Sequence, residues 1–210
     1  MLTILTAKKE YNGDLVLDIP HLQLVSGVYW LQGINGSGKT TLLRMIAGLV
    51  PFKGDIQING ISLCSKPLHY RREVSWAPAE PLYPPFVTGA ELVGFYREIR
   101  KAASQQVDRL VTFFGIRSYL SNPVSSYSSG MVKRLSLLLA FIGEASLILL
   151  DEPLATLDVE AAHLLPTLIH ERRQNDGASF IFTSHQSVIS DELAIDKSLS
   201  ITSGTVHFNI

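Results

Sequence analysis

The run Gly33-Ile34-Asn35-Gly36-Ser37-Gly38-Lys39-Thr40 carries the residue types needed to hold a polyphosphate. Its glycines let consecutive backbone N–H groups turn toward anionic oxygens, and a helix N-terminus at Thr40 adds its positive dipole end. Lys39 can reach the β and γ phosphates, and the Thr40 hydroxyl can ligate Mg²⁺. The context fits this phosphate-loop pattern. A mostly apolar strand, Val28 to Leu31, precedes the run, and a helical stretch, Thr41 to Ala47, follows it and ends at Gly48.

A second cluster, Leu147-Ile148-Leu149-Leu150-Asp151-Glu152-Pro153, puts two carboxylates at the C-terminal end of a buried strand. That is the edge at which α/β sheets bind ligands. Asp151 is suited to hold Mg²⁺, usually through water, and Glu152 to orient or deprotonate an attacking water.

These residues need elements to position them. Strand-like runs Leu2 to Ala7, Leu15 to Ile19 and His21 to Val25, punctuated by Asn12-Gly13 and Pro20, predict an antiparallel lead-in. Asp55 to Ile58 and Glu73 to Ala77 predict two more strands. From about Ala79 to Phe141 the periodicity turns helical: Thr88 and Glu91 form a capping box for Ala90 to Arg100, and Ser104 is expected to cap a helix reaching Phe114. Leu135, Leu138, Leu139 and Ile142 share an apolar face. Leu147 to Leu150 and Ser179 to Thr183 read as buried strands flanking a helix from Val159 to Gln174, kinked at Pro166. A hairpin, Ser198 to Ile201 and Thr205 to Phe208, turns at Ser203-Gly204. The expected fold is α/β: a phosphate-loop core with a mixed sheet and an antiparallel N-terminal β subdomain, formed by residues 1–78 and 142–210, and an inserted helical subdomain, 79–141.

The composition narrows the partners. Eighteen Lys+Arg stand against 19 Asp+Glu, a formal charge of −1, with no long basic run, so no nucleic-acid partner is expected. The lone Cys64 can form neither an internal disulfide nor a Cys-x-x-Cys pair, which fits a reducing compartment. Met1 to Glu10 is apolar and then basic, the reverse of a signal peptide, and no stretch approaches the roughly 18 apolar residues of a membrane span. A cytosolic chain is expected, with any membrane-spanning part on another chain. His21, His69, His163, His170 and His207 show no clustered spacing and read as surface residues rather than ligands.

With both clusters in place, the chain resembles the ATP-binding cassette (ABC) family along essentially its whole length. Tyr127-Ser128-Ser129-Gly130-Met131 looks like that family's signature motif, normally Leu-Ser-Gly-Gly-Gln, at the start of a helix before Asp151. The Ser128 hydroxyl with the N–H groups of Ser129 and Gly130 can form an anion site. In the family this site binds the γ-phosphate of ATP held by the other subunit. Leu154-Ala155-Thr156-Leu157-Asp158 resembles the D-loop, with Asp158 a natural helix cap. His185 resembles the switch histidine that senses the γ-phosphate, and Tyr11 the aromatic that stacks on adenine. The resemblance implies ATP contacts from Tyr11, Gly33, Asn35, Gly36, Ser37, Gly38, Lys39, Thr40 and Thr41, with Ser128, Ser129 and Gly130 facing a partner's ATP. It implies Thr40 and Asp151 as Mg²⁺ ligands, and Glu152, His185 and Lys39 in catalysis.

The implied protein is an ATP-hydrolysing subunit that acts as a head-to-tail homodimer or heterodimer, peripheral on the cytoplasmic face of the inner or plasma membrane, beside separate membrane-spanning permease subunits. Export is favoured over import by the Tyr-Ser-Ser-Gly-Met form and the lack of an added C-terminal domain. The alternative is a soluble ABC switch outside transport, or a regulatory subunit with impaired hydrolysis. One element departs from the family pattern: Ala79 occupies the position of a glutamine that couples metal and water, and the neighbouring Glu80 points the other way along an extended segment. The linker Pro81-Leu82-Tyr83-Pro84-Pro85-Phe86 is aromatic and stiff, and is expected to hold Tyr83 and Phe86 at an exposed groove. In the family this region receives a short helix from the membrane subunit.

Overall fold

The computed structural model describes residues 1–157, 159–184 and 194–209. The chain opens with β1 (Leu2–Tyr11) and β2 (Asp14–Ile19), a hairpin whose turn residues Asn12 and Gly13 both take positive φ, 53° and 90°. Two-residue turns of that hand match the twist of antiparallel strands. Next come β3 (Leu22–Leu24), β4 (Val28–Gln32), α1 (Lys39–Ile46), β5 (Lys53–Ile58), β6 (Ile61–Ser62), α2 (Pro67–Glu73) and β7 (Val74–Ala77). The helical stretch holds α3 (Gly89–Arg100), α4 (Ser104–Phe113) and α5 (Ser129–Phe141). The chain then runs through β8 (Leu147–Leu150), α6 (Val159–Asp176), β9 (Ser179–Thr183), β10 (Lys197–Thr202) and β11 (Thr205–Phe208).

The strands form two sheets. The first is antiparallel, in the order β2-β1-β5-β6 with β3 also on β1; the second runs β11-β10-β4-β9-β8-β7, parallel except for the β10–β11 hairpin. The second sheet is buried on both faces, and its side chains alternate between two cores. Ile148 and Leu150 pack with Phe180 and Phe182 under the helices α3 to α5, while Leu147, Leu149 and Ile181 pack with α1 and the first sheet. This is a phosphate-loop core with an antiparallel N-terminal sheet and added helices, as the sequence predicts.

Several local expectations need adjustment. The Thr88–Glu91 capping box is present. Ser104, however, lies inside α4: Ala103 holds the cap position, without a side-chain bond. The pattern gave no sign of α2, a single short helix begun by Pro67, whose Tyr70 is fully buried and donates its hydroxyl to Ile46 O at 2.7 Å. Tyr83 is not held at an exposed groove. It is packed against the helix-covered core, where burial pushes its phenol pKa up, whereas Phe86 is exposed. The prolines aim one aromatic inward and leave the other outside.

Candidate nucleotide site

Strands β4, β9, β8 and β7 are parallel neighbours, so their C-terminal ends share one edge of the sheet. The phosphate loop leaves β4 at this edge and the Asp151-Glu152 pair leaves β8, with only β9 between them. Two strand spacings separate them, about 10 Å, the scale of a triphosphate and its metal.

The loop is built by local bonds. Ser37 N–H donates to Ile34 O at 3.1 Å, and Leu42 N–H to Gly38 O at 2.8 Å. Gly38 caps α1 at φ 104°, and a Cβ there would lie 3.0 Å from Leu17 Cδ2, so glycine is required both by the backbone and by the strand packed behind it. Lys39 is buried, and its ammonium donates to Gly33 O at 2.6 Å and Ile34 O at 3.1 Å, which holds the side chain folded over its own loop. Asn35 and Gly36 are exposed at the tip; Ser37, Thr40 and Thr41 are half-buried.

The carboxylate pair is held differently. Asp151 is almost fully buried; its N–H donates to Ala77 O at 2.9 Å, and its Oδ1 accepts the Thr183 hydroxyl at 2.7 Å. The same Thr183 oxygen accepts Glu152 N–H at 2.9 Å. Glu152 takes a left-handed backbone, φ 46°, a conformation that costs a non-glycine residue energy and persists only where neighbours enforce it. Asp151 Oδ2 is buried and has no hydrogen-bond partner among the described residues. A buried carboxylate oxygen facing no donor suits a cation, so the donor set of Asp151 with the Thr40 hydroxyl fits Mg²⁺. Among the described residues no cluster of three His, Cys, Asp or Glu could hold a metal by itself.

Two further residues act at this edge, and neither carries a motif in the sequence. Thr183 was visible only as the end of an apolar strand. Lys133 lies on α5 amid leucines, 1% exposed, and its ammonium donates to Pro78 O at 2.9 Å, Ala79 O at 3.3 Å and Asp151 O at 2.9 Å. Burial pushes its pKa down to about 8, against the opposing pull of Asp151 and Glu152. The available signal was a lysine on the buried side of an otherwise apolar helix, which demands acceptors.

Among the described residues no hydrogen bond joins the remaining predicted residues to the loop. Tyr11 ends β1, paired with Asp14 and 41% exposed, with the Lys9 ammonium 4.4 Å from its ring centroid. Ser128 caps α5, accepting Met131 N–H at 3.3 Å, and both Ser128 and Ser129 are exposed. A Cβ on Gly130 would come 2.9 Å from Thr156 O, so only glycine lets α5 begin against the segment that follows Glu152. His185 and Asp158 lie outside the described residues.

Fold and site together define a phosphate-loop nucleotide-binding core that carries a helical segment between β7 and β8. Residues 20–155 match the family described as ABC transporter, and the chain belongs to that family. It is 29% identical over 190 residues to a molybdate/tungstate import ATP-binding protein of Pyrococcus abyssi, covering 88% of this chain and 55% of that protein. The chain spans about half the length of the curated relatives it matches first. A solved ATP-binding subunit of an ABC transporter superposes with a TM-score of 0.88 at 25% identity, covering 100% of this chain and 89% of the other. A dimeric ATP-binding cassette in a post-hydrolysis state, bound to ADP and Pi, gives a TM-score of 0.85 at 16% identity, covering 100% and 98%. That last likeness is one of fold.

Proposed function

We propose that this chain binds and hydrolyses ATP as one of a pair of cassettes, homodimeric or heterodimeric, that drive membrane-spanning permease subunits from the cytoplasmic face. The observation that carries the reading is the shared sheet edge, where a phosphate loop faces a carboxylate pair with one buried oxygen left for a cation. The loop amides and Lys39 would cradle the phosphates, and Lys39 would exchange its two loop carbonyls for phosphate oxygens of higher charge. Asp151 and Thr40 would hold Mg²⁺, which supplies neutralisation of the charge that develops on the phosphates. Glu152 would orient and deprotonate water, its position kept by the Thr183 hydroxyl. Tyr11, exposed at a hairpin end, is available to stack on adenine, and His185 is assigned to the γ-phosphate on the family resemblance alone.

The exposed Ser128 and Ser129 at the start of α5 offer a hydroxyl and helix N-terminal N–H groups to an anion from outside the chain, which supports a composite site completed by a second cassette. The dimeric relative with ADP and Pi supports the same arrangement. Among the described residues no helix is long and apolar enough to cross a membrane, in keeping with a membrane path on other subunits. An open cavity of about 430 Å³ between α2 and α3, with Leu68, Phe95 and Ile99 exposed beside Arg71, Arg72 and Arg100, together with exposed Phe86, supplies an apolar and basic surface for them.

The test is Glu152→Gln. Loss of a general base is expected to lower steady-state ATP hydrolysis by about 10²- to 10⁴-fold while nucleotide affinity holds. Gel filtration of that variant with ATP and Mg²⁺ should give a dimer. Wild-type turnover in Glu152→Gln, or a monomer at every concentration, removes the corresponding half of the proposal.

A further inference from the structure

The ammonium of Lys133 has three N–H donors, and three backbone carbonyls receive them: Pro78 and Ala79, just beyond β7, and Asp151, just beyond β8. A buried charge is tolerated only when so completely satisfied. Lys133 lies four residues beyond Ser129, the first residue of α5, little more than one helical turn and about 6 Å of axial rise from the start of that helix. Asp151 N–H on Ala77 O completes a cross-tie between the segments leaving β7 and β8. The tie also takes in Ala79, where the family's glutamine is missing. The other buried residues of α5 are apolar apart from Ser136.

We infer that Lys133 is a positioning residue that ties the α5 start, with its Ser128–Gly130 donors, to the Asp151-Glu152 pair, so that the placement of one sets the placement of the other. It touches no substrate. Its effect runs through the Asp151 carbonyl to the metal-holding carboxylate and through the next peptide unit to Glu152. The inference rests on the proposed ATPase reading for its kinetic consequence, and on the geometry alone for its effect on the segments it ties.

The experiment compares wild type with Lys133→Met, Lys133→Arg and Lys133→Gln. In Lys133→Met, kcat for ATP should fall by about 10- to 100-fold with KM within about 3-fold, the pattern of a displaced catalytic group rather than a lost binding contact. Lys133→Arg, which keeps charge and donors, should recover a large part of the loss. Two readouts do not need turnover. Amide hydrogen exchange of the nucleotide-free protein should quicken by about 10-fold or more in peptides covering 76–82 and 150–154, and stay unchanged in peptides covering 1–60. The gain in nucleotide affinity on adding Mg²⁺ should shrink by about 10-fold, while affinity in EDTA holds. A folded Lys133→Met with wild-type kcat, exchange and Mg²⁺ gain overturns the inference, as does exchange that quickens equally everywhere. If wild type hydrolyses no ATP, the functional reading fails, and the exchange and affinity readouts still decide the role of Lys133. If Lys133→Met does not fold, Lys133→Gln, with two donors on a shorter chain, carries the same comparison.

Discussion

The phosphate loop and the carboxylate pair sit on one sheet edge but are held in opposite ways. The Lys39 ammonium reaches partners five and six residues away, and the loop's other bonds join near neighbours. The bonds that place Asp151 and Glu152 come from Lys133, 18 residues back, and from Thr183, 31 and 32 residues on. The loop therefore needs only its own sequence and a strand to hang from. The pair needs β7, β9 and α5 all in place, so a change elsewhere in the fold reaches Asp151 and Glu152 before it reaches the loop.

The largest effect is expected where a local device meets the ligand directly. Lys39→Met should weaken ATP binding by about 10- to 150-fold, the value of hydrogen bonds to charged groups, with little change in thermal stability, because the loop's backbone bonds remain. Isothermal titration beside a melting curve checks both. If stability falls as far as affinity, the loop is not self-supporting.

Thr183→Val should give the reverse pattern. It keeps the volume but removes the hydroxyl that bonds both Glu152 N–H and Asp151 Oδ1, at a cost of about 1–3 kcal/mol in chemical denaturation. Turnover should drop by roughly 10-fold as the pair loses its placement, with ATP affinity in EDTA unchanged. Equal loss of affinity in EDTA would mean that the loop and the pair are not held separately.

A smaller effect is expected at the junction. Ala79→Gln restores a polar side chain beside the pair, and steady-state hydrolysis should rise by about 5-fold, since one metal or water contact is worth on the order of 1 kcal/mol. No gain in Ala79→Gln, with a crippled Glu80→Ala, would assign the missing glutamine's role to Glu80.

The smallest effect lies remote from both regions. Burial raises the Tyr70 phenol above its ordinary pKa, so the folded state stays protonated where the unfolded chain ionises. Its contribution to stability is complete below about pH 10 and declines as pH rises above that value. Tyr70→Phe should cost about 1 kcal/mol at neutral pH through the lost bond to Ile46 O and make the alkaline loss of stability shallower, as read by urea melts between pH 8 and 11. An unchanged alkaline slope would exclude Tyr70 as its source.

Much of the architecture was legible because the strands of the second sheet are continuous apolar runs: Leu147 to Leu150 and Ser179 to Thr183 were read with the bounds the structure has. The Thr88–Glu91 box and the Ser203-Gly204 turn were legible as chemistry confined to a few residues. Helix α2 was not, because seven residues with one buried side chain make no period. Tyr83 was misread because composition says that an aromatic must pack but not on which side of a proline linker its partner lies. Ser104 was misplaced by one residue because a serine suits a first turn nearly as well as a cap.

By itself the sequence determined the phosphate loop, its strand and its helix, and the presence of two acids at a strand end. Each of these is a run of neighbours whose backbone needs are written in their own residue types. Only the tertiary structure decided that β9 lies between the loop and the acids, that Thr183 bridges Asp151 and Glu152, and that Lys133 reaches across to three carbonyls. Those bonds depend on strand order and on which face of α5 is buried, and one lysine or threonine looks the same in sequence whether its partners are solvent or the carbonyls and acids of a distant strand.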